Sequence, residues 1–273
     1  MQAGSILKHC IDRPPELSVA GTQIADGRYI VRLAKTPAEI DAALKLRFEV
    51  FNLELGEGLQ SSFQTGRDRD EFDAICHHLI AVEKDGGHVI GTYRLLTMEM
   101  AGSVDGFYAA SEFEVSSLPR YVTDNAVELG RACIGRPYRN RQVLLLLWKG
   151  LASYLTRFHK RFTFGCCSLT SQDPREGVLT LAHLQRRGHM HHSFLVPVRM
   201  PFRCLADAER DQDTRVKIPK LFESYLSIGA KVVSQPAIDR RFGTIDLLVL
   251  LDTQSMQEKL RQLFFAPAPV SRR

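Results

Sequence analysis

No apolar run in this 273-residue chain is longer than six residues, Val143 to Trp148. A membrane-spanning helix needs about 20, so no segment is expected to cross a bilayer. The start, MQAGSILKHCIDRPPEL, carries charges where a secretory signal needs an apolar stretch, and the expected address is the cytoplasm. None of the six cysteines forms a CxxC pair, which argues against a zinc ribbon or a thioredoxin-type site. Cys76, Cys133, Cys166 and Cys167 lie in or beside apolar segments and read as reduced, buried small hydrophobes. Gly-x-Ser-x-Gly is absent, so a Ser-His-Asp hydrolase lacks its nucleophile turn. His77-His78 and His191-His192 lack the i, i+4 spacing with glutamate of a zinc protease, and no metal is expected. What is present is an ordinary globular composition, 44% hydrophobic and 25% charged, unlike that of a disordered or coiled-coil chain.

Acid is missing from one long interval. Between Glu128 and Asp173 there is none, while Arg131, Arg136, Arg139, Arg141, Lys149, Arg157, Lys160 and Arg161 all fall there. The rest of the chain holds 28 basic and 31 acidic residues. A local positive field attracts a polyanion: a phosphorylated cofactor, an acidic protein, anionic headgroups or nucleic acid. Nucleic acid fits least, because no helix-turn-helix spacing, zinc finger or aromatic RNA-binding motif is present. A solvated helix face is the plain alternative.

Residues 1–27 read as a loose arm with Pro14-Pro15. Thr36-Pro37-Ala38-Glu39 matches a capping box with proline at the first helical position. Behind it Ile40, Ala43, Leu44, Arg47, Phe48 and Phe51 share one helical face, so Arg47 must snorkel or meet a buried partner. Residues 52–69 read as a long polar loop. A hairpin is expected over 77–96 with its turn at Asp85-Gly86-Gly87, then a polar excursion over 101–125 and a strand over 127–134. The turn 138–141 leads into a helix over 142–158. Further elements are a strand over 162–169, helices over 173–187 and 220–228, a buried strand over 245–251 and an amphipathic helix over 254–265. The hairpin makes the sheet mixed, so the class is α/β or α+β, with helices on both sheet faces.

Three charged groups stand out: Asp70-x-x-Asp73 before the first hairpin strand, Arg94 late in the second, and Glu128-x-x-Arg131 on the next. Residues three apart on a strand point to opposite faces. Glu128 and Arg131 therefore share a face only if a bulge intervenes, which is common beside active sites. Together these groups suit a cleft in which carboxylates hold an ammonium and arginines hold a carboxylate; ordinary surface ion pairing is the other reading. The turn at 138–141, at a helix N-terminus, suits an anion such as phosphate, though without a glycine cradle.

Several blocks in order resemble one family. They are Leu46-Arg47-Phe48-Glu49-Val50-Phe51 with Asn52-Leu53-Glu54-Leu55-Gly56-Glu57-Gly58, Asp70-Glu71-Phe72-Asp73, Gly91-Thr92-Tyr93-Arg94, Glu128-Leu129-Gly130-Arg131, Leu145-Leu146-Leu147-Trp148-Lys149-Gly150-Leu151, Phe164-Gly165-Cys166-Cys167-Ser168 and Tyr225-Leu226-Ser227-Ile228-Gly229-Ala230. The chain is thereby similar to the hemolysin-like N-acyltransferases, the acyl carrier protein-dependent enzymes that make lyso-ornithine lipid. These resemble the acyl-homoserine lactone synthases and, more distantly, the GNAT acetyltransferases. The resemblance implies a GNAT-like mixed twisted sheet over 28–255, splayed around an acyl-pantetheine site, followed by an amphipathic helix and tail over 256–273. It implies no bound cofactor, the donor being an acyl-phosphopantetheine on acyl carrier protein, and no covalent acyl-enzyme. It also gives roles to Arg47, Asp70, Asp73, Arg94, Glu128 and Arg131.

On this reading a (3-hydroxy)fatty acyl group passes to the α-amino group of ornithine, or of another amino acid. Glu128 is the expected general base, with Arg131, Asp70 and Asp73 completing the catalytic cluster and the aspartates holding the substrate ammonium. Arg47, Arg94 or Arg131 meets its carboxylate, and Phe51, Cys133 and Ile134 line the substrate site. Backbone amides near Ala132–Ile134 polarise the thioester. Arg136, Arg139, Arg141 and Lys149 dock the acidic carrier protein. The helix from Gln254 to Phe265, with Lys259, Arg261, Arg272 and Arg273, lies either on the inner membrane surface or on the core. A non-enzymatic membrane-binding protein remains the reading from a different class.

Overall fold

The computed structural model describes residues 23–206 and 216–265. The elements are β1 (Ile24–Asp26), β2 (Tyr29–Leu33), α1 (Pro37–Phe48), β3 (His77–Glu83), β4 (Val89–Thr97), β5 (Ala126–Ile134), α2 (Arg141–Arg157), β6 (Phe162–Leu169), α3 (Pro174–Arg186), α4 (Lys220–Ser227), β7 (Lys231–Val232), β8 (Ala237–Asp239), β9 (Thr244–Asp252) and α5 (Glu258–Phe265). One mixed sheet runs β1-β2-β3-β4-β5-β6-β9-β7, with β8 also on β9. Its neighbours are antiparallel except β5 and β6, which are parallel and joined through α2.

Helices cover both faces. The capping box at Thr36 forms as the sequence predicts, with Glu39 reaching back to the cap and Arg32 gripping Glu39 at 2.6 Å. Ala43 of α1 packs with Ile80 and Val82 on one face. α2 presses Val143, Leu147 and Leu151 onto Val31, Leu79, Tyr93 and Leu95 on the other. A Cβ at Gly150 would lie 2.4 Å from Val31, so this contact admits no side chain there. The 98–125 excursion folds onto the first face, where Phe107, Phe113 and Val122 pack with Phe164, Leu248 and Leu250.

Several expectations change. β1 and β2 are strands; Ile24–Asp26 was expected within the loose arm, and residues 1–22 lie outside the described set. The segment expected as a loop from residue 52 begins as helix, because α1 continues as π-helix Glu49–Leu55 until Gly56 takes a left-handed φ of 71°. The last helix starts at Glu258, since Asp252 caps a separate turn over Thr253–Ser255. Its Phe264 packs edge-on against Trp148 at 5.3 Å, so of the two positions expected for this helix its apolar face takes the core. Arg272 and Arg273 lie outside the described residues. Among the described residues no helix is long and apolar enough to cross a membrane.

Candidate active site

Arginine on the apolar stripe of α1 does meet buried partners. Arg47 is 0% exposed; its Nε donates to Asp68 at 2.8 Å, and Nη1 and Nη2 donate to Asp73 at 2.6 and 3.3 Å. Arg94 of β4 reaches Asp70 at 2.5 Å and Asp73 at 3.3 Å, both from Nη1. Arg131 of β5 donates to Asp68 at 3.1 Å and Asp70 at 3.0 Å. Asp70 also caps the turn Glu71–Ala74, and its own N–H donates to Asp73. Three guanidiniums thus face three carboxylates, and the charges cancel. Burial pushes the Asp73 carboxyl up, but Arg47 and Arg94 beside it hold it well below the usual range. This corrects the sequence-based roles: Asp70 and Asp73 neutralise arginines instead of standing open for an ammonium, and Arg47, fully buried with all three nitrogens turned to the aspartates, is not part of the cavity wall.

The expected bulge is present. Arg94 opposes Gly130 and Thr92 opposes Cys133, so three steps on β5 span two on β4, and Arg131 and Ala132 have no register partner. Arg131 has a φ of 49°, a conformation a non-glycine residue rarely adopts. Glu128 and Arg131 consequently line one cavity. Glu128, 4% exposed, accepts the amide N–H groups of Tyr108 and Ala109 at 2.8 and 2.7 Å. Burial nevertheless pushes its carboxyl up to about 7, against those two hydrogen bonds and the charges of Arg94 and Arg131. The Arg131 guanidinium lies 4.3 Å from the Phe242 ring centroid and 5.0 Å from that of Tyr108, which fixes its plane.

The cavity itself comes from strand divergence. β5 and β6 pair only over Ala126–Glu128 and Phe162–Phe164. At Gly165 a Cβ would lie 2.2 Å from Leu129 O; beyond this pinch a cavity of about 310 Å³ opens, walled by Gly130, Arg131 and Ala132 on one side and Cys166, Cys167 and Ser168 on the other. Glu128, Cys166 and Asp246 sit on the face covered by the 98–125 excursion, whereas Trp148, Leu151 and Leu155 belong to α2 on the opposite face. The cavity therefore passes through the sheet. One end is polar, with Glu57, Tyr108, Arg94, Glu128, Ser168 and Asp246; the other is apolar, with Trp148, Leu155, Phe222, Leu251, Met256 and Phe264.

Of the expected substrate residues, Phe51 and Arg94 line this cavity; Cys133 and Ile134 do not. Cys133 packs instead among Leu46, Val50 and Phe51, and burial pushes its thiol up to about 12, far from a nucleophilic thiolate. The basic interval also divides. Arg131 is buried, Arg139 is clasped by Glu54 at 2.5 and 2.8 Å, Lys160 meets Glu99 and Arg161 meets Asp252. Arg136 and Arg141 are exposed and Lys149 is half-buried, without an ion pair among the described residues. Asn140 caps α2 by accepting the Val143 N–H, which occupies one amide of the helix start proposed for an anion.

Residues 46–149 match the family model described as an acetyltransferase (GNAT) domain. The L-ornithine N(alpha)-acyltransferase of Agrobacterium fabrum is 32% identical over 248 residues, covering 84% of this chain and 83% of its own. The protein of that name from Rhodobacter capsulatus is 32% identical over 251 residues, covering 86% and 94%. The chain belongs to the L-ornithine N(alpha)-acyltransferase family. Among solved structures it is similar to the AHL synthase LasI (12% identity, TM-score 0.48, 91% of this chain and 100% of that one). It is also similar to FeeM, an N-acyl amino acid synthase from uncultured soil microbes (12%, TM-score 0.47, 86% and 97%).

Placed in this acyltransferase family, the site contains residues to which the sequence reading gave no role. Asp68 holds two arginines at once. Glu57, Glu112, Asp239 and Asp246 are buried beside the cavity's polar end. The available signal was Asp246, a single acid opening the otherwise apolar strand 245–251. Glu112, Cys166 and Asp246 bring potential ligand atoms within 4.8 Å of one another, a cluster able to take a cation.

Proposed function

We propose that this chain transfers a (3-hydroxy)fatty acyl group from the phosphopantetheine thioester of acyl carrier protein to the α-amino group of ornithine. The observation that carries this reading is the cavity through the sheet, carboxylates at one end and hydrocarbon at the other, with Glu128 at the polar end. An amine must lose a proton before it attacks, and a carboxyl raised to about 7 is suited to take it near neutral pH. The amine nitrogen then bonds to the thioester carbon, the C–S bond breaks, and the pantetheine thiolate leaves and takes up a proton. The bulge leaves Ala132 unpaired with β4 beside the cavity, which suits its N–H to polarise the thioester carbonyl.

Arg94 commits only Nη1 to the aspartates and lines the cavity, so we assign it the acceptor's carboxylate. Arg47, Asp68, Asp70 and Asp73 act as positioning residues that hold Arg94 and Arg131 in place. The apolar end, between α2, α4 and α5, takes the acyl chain. Exposed Arg136 and Arg141, with Lys149, meet the acidic carrier protein. The test is thiol release by the purified protein with 3-hydroxyacyl carrier protein and a panel of amino acids, products identified by mass spectrometry. N-acylornithine is the expected product. Release with another amino acid in place of ornithine overturns the acceptor, and no release from folded protein overturns the reaction.

A further inference from the structure

The two halves of the site differ in charge. The Arg47, Arg94, Arg131 cluster is neutral with its three aspartates. Around the cavity's polar end, Glu57, Glu112, Glu128, Asp239 and Asp246 are all buried, and among the described residues none forms an ion pair. Asp239 and Glu128 are satisfied by backbone amides, and Glu57 by the Thr170 hydroxyl. Glu112, 1% exposed, and Asp246, 3% exposed, are different. Glu112 Oε2 and Asp246 Oδ1 have no hydrogen-bond partner. A buried, unpaired carboxylate oxygen is costly, and its persistence calls for an explanation. Asp246 is part of the cavity wall, and Glu112 stands within 4.8 Å of it and of Cys166.

We propose that Asp246, with Glu112 beside it, forms the subsite for the side-chain ammonium of the acceptor amino acid and so selects a diamino acid over a neutral one. The inference rests on the acyl-transfer reading and deepens it. An ammonium brings three donors and one positive charge. Asp246 Oδ1 and Glu112 Oε2 supply two acceptors, and the Cys166 sulfur a weak third. Of the other cavity-lining carboxylates, Glu57 accepts the Thr170 hydroxyl and Glu128 is committed to amides and to the reacting amine, while Arg94 takes the carboxylate. The acceptor is then held at three points: acid, base and side chain. Burial and the neighbouring acids push both carboxyls up, as expected for groups awaiting a cation.

The experiment compares ornithine with norleucine, which has a methyl group in place of the side-chain ammonium, on the wild type and on Asp246→Asn. The wild type should strongly prefer ornithine. In Asp246→Asn, kcat/KM for ornithine should fall about 100-fold, the usual scale for removing one partner of a buried charge pair, while that for norleucine holds or rises. Glu112→Gln should shift selectivity the same way and serves if Asp246→Asn does not fold. Equal loss on both acceptors by a folded variant overturns the subsite and leaves acyl transfer standing. A wild type that uses both acceptors equally does the same. A wild type that releases no thiol with any acceptor overturns both readings. Stoichiometric metal in the wild type, lost in Asp246→Asn and required for turnover, assigns the cluster to a metal and overturns the ammonium subsite.

Discussion

Glu128→Gln separates chemistry from folding. The wild-type carboxyl sits near 7, against about 4.5 for an exposed glutamate. In the folded chain it binds a proton more tightly than in the unfolded one. Stability from this group is therefore lost as pH rises from about 4.5 to 7, on the order of 3 kcal/mol in all. Above pH 7 the ionised side chain is a burden that glutamine removes. Glutamine brings its own cost: one oxygen still accepts an amide N–H, but its NH2 faces the second donor, Tyr108 N or Ala109 N, at about 1–3 kcal/mol. The two terms nearly cancel, so at pH 8 the variant should melt within a few degrees of the wild type. Its acyl transfer should drop by about 10²–10⁴, the range for losing a general base. Single-turnover thiol release across pH 5.5–9 is the assay. The wild-type rate should rise through about pH 7 and level off, and the residual rate of the variant should be flat there. A variant with full activity, or with the same inflection, would remove Glu128 as the base.

The remaining predictions address the frame, the donor and the chain. Arg47→Leu leaves Asp68 and Asp73 without their shared cation and should cost about 3–5 kcal/mol in urea unfolding; a loss under 1 kcal/mol would show that the cluster rearranges. Arg136→Glu with Arg141→Glu should raise KM for acyl carrier protein at least tenfold and flatten its salt dependence, with KM for ornithine unchanged. Leu155→Trp narrows the apolar end and should move preference to shorter acyl donors in a chain-length series; an unchanged optimum would place the chain elsewhere.

Much of the frame was legible because it repeats local rules. Thr36, Pro37 and Glu39 marked a helix start, the periodicity of 77–96 marked a hairpin, and the Glu128-x-x-Arg131 spacing on a strand allowed a shared face only with a bulge. β2 was missed although Tyr29, Val31 and Leu33 alternate inward, because Arg32 interrupts a segment only five residues long. The site was legible as a set of residue types and not as roles. Sequence spacing brings Asp70 and Asp73 together but cannot show that Arg47, about two dozen residues earlier, neutralises Asp73. Asp68 and Glu112 lie in polar stretches where acids are common, and only the fold buries them. The net charge of the basic interval was illegible for the same reason: Glu54, Glu99 and Asp252, all distant in sequence, meet three of its eight charges.

The division of buried charge explains why one fold needs both clusters. Arg94 and Arg131 must keep donors aimed into a cavity too dry to solvate them. Aspartates on the far side fix their positions without making the region positive. The acceptor end has the opposite requirement. Ornithine arrives with two ammonium groups and one carboxylate, net positive, and leaves as an N-acyl product with one ammonium fewer. A subsite neutralised in advance by protein cations would gain nothing from that charge. Glu112 and Asp246, buried without a cation of their own, make the free site unfavourable and the occupied one favourable, so charge selects the acceptor before chemistry begins. Raising the pH should then favour ornithine over norleucine, because Glu112 and Asp246, pushed up by burial, ionise and only ornithine brings a cation to them. Changes at Glu128 act on the α-amine of both acceptors alike and cancel in that ratio.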